Sequence, residues 1–127
     1  MNAHVGAEIE LLGSDLTVVI PAYNEEEGIG PTLGALKSEP RLAGCHILVI
    51  DDGSTDKTAD AARAVDGVVV LQHKNNLGYG AGIKTGTRHA TTPYLAWFDA
   101  DGQHRATDLA DMFEAAKKGH YDAVFGN

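Results

Sequence analysis

Cysteine is nearly absent from this sequence. Cys45 is the only one, which excludes an internal disulfide and a cysteine-based zinc site. A lone thiol of this kind reads as a small buried hydrophobe. Long apolar runs are missing as well, none approaching the ~20 residues that a membrane-spanning helix requires. The opening MNAHVGAEIELLGSD lacks a basic leader and sets Glu8 and Glu10 inside its apolar part, unlike a signal peptide. Residues 1–15 therefore read as a loose tail or an extra edge segment. Positive charge is scarce: 10 Lys and Arg stand against 18 Asp and Glu, for a net charge of −8. Such a surface is a poor match for nucleic acid, whose binding rests on neutralising phosphates. These absences point to the cytoplasm or the cytoplasmic face of a membrane.

The familiar nucleotide and hydrolase signatures are also missing. After the first apolar run the chain reads Pro-Ala-Tyr-Asn, where a dinucleotide-binding turn needs G-x-G-x-x-G. GAGIKTG wedges Ile83 between Gly82 and Lys84, so it is no P-loop. No G-x-S-x-G elbow occurs. IDDGS on its own resembles a phosphoacceptor pocket, but the third-strand lysine and the placing of the other acids do not fit. A nucleotidyltransferase would need a Gly-rich basic loop after the first strand, and PAYNEEE is acidic.

What is present alternates. LTVVIPA (16–22), HILVIDD (46–52), GVVVLQH (67–73), YLAWFDA (94–100) and DAVFGN (122–127) are short, near-continuous apolar runs, as strands are when both sheet faces are covered. Trp97, in the middle of the fourth run, reads as core. Between the runs lie helical patterns. Residues 28–38 put Ile29, Leu33 and Leu36 on one face, with Pro31 confined to a first turn. Residues 55–65 have Ser54 or Thr55 as N-cap and Asp56 in the first turn. Residues 79–90 and 106–118 complete the set, the last stopped by Lys117, Lys118 and Gly119. The order predicts an α/β fold: a mostly parallel sheet with helices on both faces and right-handed crossovers. DAVFGN brings a strand to its end with nothing after it, so the sequence is expected to be the N-terminal half of a larger fold.

Ligands of such a sheet bind beyond the carboxyl ends of its strands, and the polar clusters all fall there. DADGQH (99–104) is the strongest. Asp99 and Asp101, at i and i+2, would point to one side of an extended backbone and repel unless a cation lies between them. With the Gln103 side-chain oxygen they form an all-oxygen set suited to Mg²⁺ or Mn²⁺. DDGSTD places Asp51 and Asp52 at a strand end, and an aspartate there can accept from a ribose or a base. In PAYNEEE, Tyr23 offers a flat surface for a base and Glu25 an acceptor for ribose hydroxyls; Glu26 and Glu27 are acids near a helix N-terminus. NLGYGAGIKTG spends four glycines in eleven residues. Gly82 and Gly86 cost roughly 1 kcal/mol each inside a helix, a cost that close helix–sheet packing would offset; contact of Lys84 with phosphate is the lesser reading.

In this order VVIPAYNEE, ILVIDDGSTDKT, NNLGYGAGIKTG and WFDADGQH resemble the family 2 glycosyltransferases of the GT-A fold, across residues 16 to 127. DADGQH is most similar to the branch that moves sugars to polyprenyl or dolichyl phosphate. The resemblance implies a nucleotide pocket lined by Pro21, Tyr23 and Glu25, with Ile50 and Asp52 at the base. It sets Asp99 and Ala100 beside the ribose and diphosphate, and Asp101, with Asp99 and Gln103, on the metal. It implies inverting transfer of a hexose from a UDP- or GDP-linked donor, Asp101 being the catalytic residue, to an acceptor such as a lipid phosphate. Peripheral membrane association of the whole protein and a homodimer through an exposed sheet edge are further expectations. The alternative is a module that holds a nucleoside diphosphate without chemistry, because family members continue past Gly126 with acceptor-binding structure.

Overall fold

The computed structural model describes residues 14–102 and 104–119. Four parallel strands, β1 (Leu16–Ala22), β2 (His46–Asp51), β3 (Val68–Gln72) and β4 (Tyr94–Trp97), form one sheet in the order β3-β2-β1-β4. Helices α1 (Ile29–Ser38), α2 (Thr58–Arg63), α3 (Tyr79–His89) and α4 (Ala106–Gly119) alternate with them, and a short 3₁₀ turn, Pro40–Leu42, precedes β2. The chain steps outward from β1 to β3 and then returns to the other side of β1. The strand order therefore reverses between β1 and β4, the place where open α/β sheets receive ligands.

The two faces are unequal. On one, Val18 and Ile20 of β1 and Ile47 and Val49 of β2 pack with Ile29, Leu33 and Leu36 of α1, Ala62 of α2, and Leu109 and Phe113 of α4. On the other, Val19, Leu48 and Ile50 form a small cluster under α3. Helix α3 lies close because it has glycine where it crosses β1. A β-carbon on Gly86 would stand 2.7 Å from Val19 Cγ2 and 3.0 Å from Val19 Cβ, and one on Gly82 would stand 3.1 Å from Pro21 Cβ. The packing reading of these glycines is the observed one.

Several expectations change. The fourth strand ends at Trp97 rather than Ala100, and the chain turns through Ala100 and Asp101 with Gly102 at φ 81°. Trp97 is 45% exposed, not core. In register it lies beside Val19, on the α3 face, but α3 covers β1 and β2 while β4 is an outer strand of the described sheet. Helix α2 begins at Thr58, and neither Ser54 nor Thr55 caps it, because both are held by Asn24 across the rim. Cys45 is half-buried against the larger core. The expected strand 122–127 and nearly all of the 1–15 tail lie outside the described residues.

Candidate functional site

The β1–α1 and β2–α2 loops are sewn together at the carboxyl rim. Asn24, in the left-handed region at φ 50°, donates its N–H to Ser54 Oγ (2.9 Å) and accepts at Oδ1 from Thr55 N (2.9 Å). Glu25 N donates to Thr58 Oγ1 (2.8 Å) and Glu26 N to Asp56 Oδ2 (3.3 Å). Asp56 Oδ1 accepts from Thr58 N (2.9 Å) and from the Thr58 hydroxyl. Those donors, the hydroxyl above all, hold the Asp56 carboxyl below its usual range. Three successive backbone donors are thereby used within the protein. What the loop leaves toward solvent is side chains: Tyr23, exposed, and Glu25, half-buried.

The DADG turn is anchored to the start of α1. Phe98 N continues the ladder to Val19 O (3.0 Å), and Thr32 Oγ1 donates to the carbonyl of buried Ala100 (3.1 Å). Gly28 leaves the space for this approach. A β-carbon there would stand 2.8 Å from Ala100 O, 3.2 Å from Glu25 Oε2 and 3.6 Å from Asp101 Cα. Glu25, Ala100 and Asp101 thus converge on one point at the reversal of strand order. Asp99 and Asp101 flank that point on a turn, not along one side of an extended strand. Tyr79, at the start of α3, donates its hydroxyl to Asp99 Oδ1 (3.2 Å). Burial, and then the Asp99 charge, push the Tyr79 phenol above its ordinary value. His104 accepts from Asp99 N at Nδ1 (3.2 Å), sets Nε2 3.4 Å from Asp99 Oδ2, and packs edge-on against Phe98.

Asp52 is 5% exposed, on the α3 face. Its Oδ1 accepts from His73 Nδ1 (2.7 Å) and Leu77 N (2.9 Å), its Oδ2 from Gly78 N (2.8 Å). Burial opposes ionisation, but the His73 ring and the two N–H groups outweigh it, and the carboxyl stays below its ordinary value. Asp51 turns to the opposite face, where it accepts from Ser54 N (3.2 Å) and Gln72 Nε2 (3.1 Å). Gly53, at φ 73°, brings these loops together: a β-carbon would stand 2.6 Å from the carbonyl carbon of Asn75.

The structure therefore gathers Tyr23, Glu25, Asp52, Asp99, Ala100 and Asp101 on one rim, with Pro21 and Ile50 buried beneath it. Gln103 lies outside the described residues. The carboxylates are hard oxygen donors, the chemistry of a Mg²⁺ or Mn²⁺ site. Among the described residues no group of three or more His, Cys, Asp or Glu is placed to hold a metal unaided. An ion here would take the rest of its coordination from phosphate oxygens and water, as Mg²⁺ usually does. Sequence reasoning passed over Gly28, Thr32, His73 and Tyr79. Only His73 carried a legible signal, a histidine at a strand end on the acidic rim. A cavity of about 530 Å³, lined by Gly44, Leu48, Val69 and His89 among others, lies at the opposite, amino-terminal end of β2 and β3; the rim chemistry does not reach it.

A parallel sheet whose acidic loops meet at the reversal of strand order has the GT-A architecture. The mannosyltransferase PcManGT of Pyrobaculum calidifontis, solved with GDP-Man and Mn²⁺, superposes with a TM-score of 0.71 at 22% identity, over 91% of this chain and 41% of that one. S. aureus TarS 1-349 with UDP-GlcNAc gives 0.72 at 23% identity, over 84% and 32%. In sequence, residues 17–127 match the family described as glycosyl transferase family 2, and the chain belongs to that family. A relative from Mycobacterium tuberculosis, described as an uncharacterized glycosyltransferase, is 38% identical over 109 residues, 86% of this chain and 47% of that protein. The chain thus spans about half the length of the curated relatives it matches.

Proposed function

We propose that residues 16–127 form the nucleotide-sugar-binding part of a metal-dependent, inverting glycosyltransferase. The observation that carries this reading is the convergence of Glu25, Ala100 and Asp101 around Gly28 at the strand-order reversal. In this reading Tyr23 stacks on the base and Glu25 accepts from the ribose. Buried Pro21 and Ile50 support the rim from beneath, and Asp52, its oxygens taken by His73, Leu77 and Gly78, shapes the base side through the loop it holds. Asp99 and Ala100 flank the ribose and diphosphate, and Asp99, Asp101 and Gln103 hold Mg²⁺ or Mn²⁺. A bound divalent ion supplies Lewis-acid stabilisation of the departing nucleoside diphosphate.

The donor is a UDP- or GDP-linked hexose, a reading supported by the GDP-Man and UDP-GlcNAc bound to the two fold neighbours. The acceptor is a polyprenyl phosphate. Its oxyanion is already a nucleophile, so the chain needs no strong general base, and His104 beside Asp99 is not required to act as one. The chain's half-length match to its relatives favours a second reading for residues 1–127 alone, that they bind donor and metal without transferring.

The test is a thermal-shift panel with UDP, GDP, CDP and ADP, each with and without Mn²⁺. A ligand at a hundred times its Kd adds ~2.7 kcal/mol of stability. A shift that needs one nucleotide and the metal together, and that disappears in Asp101→Ala, is the expected result. A flat panel would remove the nucleotide reading from this chain.

A further inference from the structure

Tyr79 is the first residue of α3, and the main chain before it is held in place. Gly78 stands at φ 100°, a conformation that residues with a side chain rarely adopt. Asp52 Oδ1 takes the N–H of Leu77 (2.9 Å) and Oδ2 that of Gly78 (2.8 Å), so the turn into α3 is fixed from the end of β2. One helical turn on, Gly82 lets α3 down onto β1, where a β-carbon would stand 3.1 Å from Pro21 Cβ. The start of the helix has little freedom, and from it the Tyr79 ring reaches across the rim.

Tyr79 is 53% exposed, yet its hydroxyl has a partner. It donates to Asp99 Oδ1 at 3.2 Å, and the direction of that bond is fixed because an ionised carboxylate only accepts. On the other oxygen, Oδ2, His104 Nε2 stands 3.4 Å away, long for a hydrogen bond. His104 is itself oriented by Asp99, whose N–H donates to Nδ1 (3.2 Å). Tyr79 thus makes the firmer of these two side-chain contacts to the carboxylate, and it comes from the element that Asp52 anchors. A partly exposed aspartate on a turn rotates about its side-chain bonds unless a neighbour holds it. A donor already in place removes that freedom before a ligand arrives.

We infer that Tyr79 is a positioning residue for Asp99: its hydroxyl, set by the turn that Asp52 holds, keeps the Asp99 carboxylate oriented toward the metal and diphosphate end of the donor. Carboxylates that ligate a metal are commonly held in this way by a neighbouring donor, and losing that donor costs about ten-fold or more in metal affinity. Tyr79 acts through Asp99, and it joins the base side of the rim to the diphosphate side. The consequence for the metal rests on the proposed nucleotide reading; the hold of Tyr79 on Asp99 is a property of this chain alone.

The experiment reads the Mg²⁺ requirement and the Asp99 carboxylate together, in the whole chain. Tyr79→Phe keeps the ring and removes only the hydroxyl; Tyr94→Phe does the same at the amino end of β4, away from the rim. Isothermal titration gives the Mg²⁺ concentration at which UDP or GDP binding is half-maximal, and the nucleotide affinity in EDTA. The ¹³C resonance of the Asp99 carboxyl is followed without ligand. In Tyr79→Phe the Mg²⁺ requirement should rise by about ten-fold. Its affinity in EDTA and its melting temperature should match the wild type, and the Asp99 resonance should move. Tyr94→Phe should change neither the Mg²⁺ requirement nor the resonance. Gly78→Ala has open space for its methyl but strains the turn, so it displaces the hydroxyl without removing it. It should raise the Mg²⁺ requirement as well, and adding Tyr79→Phe to it should cost little more. An unchanged Mg²⁺ requirement in Tyr79→Phe overturns the inference, whether or not the resonance moves. Equal losses with and without metal also overturn it, since Tyr79 would then be a packing residue. If neither nucleotide binds, the functional reading fails, and the Asp99 resonance still decides whether Tyr79 holds that carboxylate.

Discussion

Gly28 faces the carbonyl oxygen of Ala100 across a gap that a methyl group would close to 2.8 Å. The obstacle is main chain on both sides, so it cannot yield by a rotamer change. Gly28→Ala should therefore destabilise the fold by about 1–3 kcal/mol, as overpacking does. It should also displace the DADG turn and remove any metal-dependent nucleotide shift. Urea unfolding and the thermal-shift panel check both parts. Wild-type stability in Gly28→Ala would mean that the turn yields easily and that the convergence is loose.

The alternation of strands and helices was legible because each apolar run is short, β-branched and bounded by acids or glycine. The face of α1 was legible in the spacing of Ile29, Leu33 and Leu36, all of them buried. Contacts made between distant segments were not. Ser54 and Thr55 look like caps, yet Asn24 from another loop holds both, and the helix starts three residues after Thr55. Trp97 looks like core because the sequence does not reveal how far α3 reaches across the sheet. Gly28 carries no local mark of its role, since the residues it makes room for are 72 and 73 positions away (100 − 28 and 101 − 28). The acids of the rim were legible one by one; that Asp52 turns inward to its own loop was not.

Asp52 should shape the acid limb of stability. Its carboxyl is held below the unfolded value of about 3.9. The stability it contributes is complete above that value and is lost as pH falls through the folded-state value. Asp52→Asn should cost about 2 kcal/mol at neutral pH, the scale of a hydrogen-bonded charge. It should also flatten part of the acid slope. Asp56 and Glu39 are held low too, so the variant keeps a residual slope. The check is urea midpoints of both proteins from neutral pH down to about pH 2.5, below the carboxylate range. Parallel curves would show that the Asp52 carboxyl titrates alike in the folded and unfolded chain, so that its hydrogen bonds do not favour the charged form.

Asp101 is exposed, so its replacement by Asn should cost no more than about 1 kcal/mol of stability, the scale of one solvent-exposed polar contact. If the rim holds a divalent ion, the same change should abolish the metal-dependent part of nucleotide binding. EDTA should do the same to the wild type. Isothermal titration in Mg²⁺ and in EDTA separates the two effects. Equal affinity in Mg²⁺, in EDTA and in Asp101→Asn would remove the metal from the site while leaving nucleotide binding intact.

Gly86 and Val19 should behave as a coupled pair. A methyl at position 86 would meet both γ-carbons of Val19, deep inside van der Waals contact, at the place where α3 crosses β1. In an open helix, Gly→Ala would gain roughly 1 kcal/mol of propensity. Here the steric term should win, giving a net loss of about 1–3 kcal/mol. Val19 is fully buried, so Val19→Ala alone should also destabilise, by about 1–3 kcal/mol for the lost burial and the cavity. In the double variant the new methyl fills the space left by the lost ones, so the two losses should not add. The double variant should be more stable than the sum of the singles by at least about 1 kcal/mol, within the range of contacting pairs. Strict additivity in denaturant unfolding would mean that α3 shifts away from the sheet instead, and the close helix–sheet approach would lose its support.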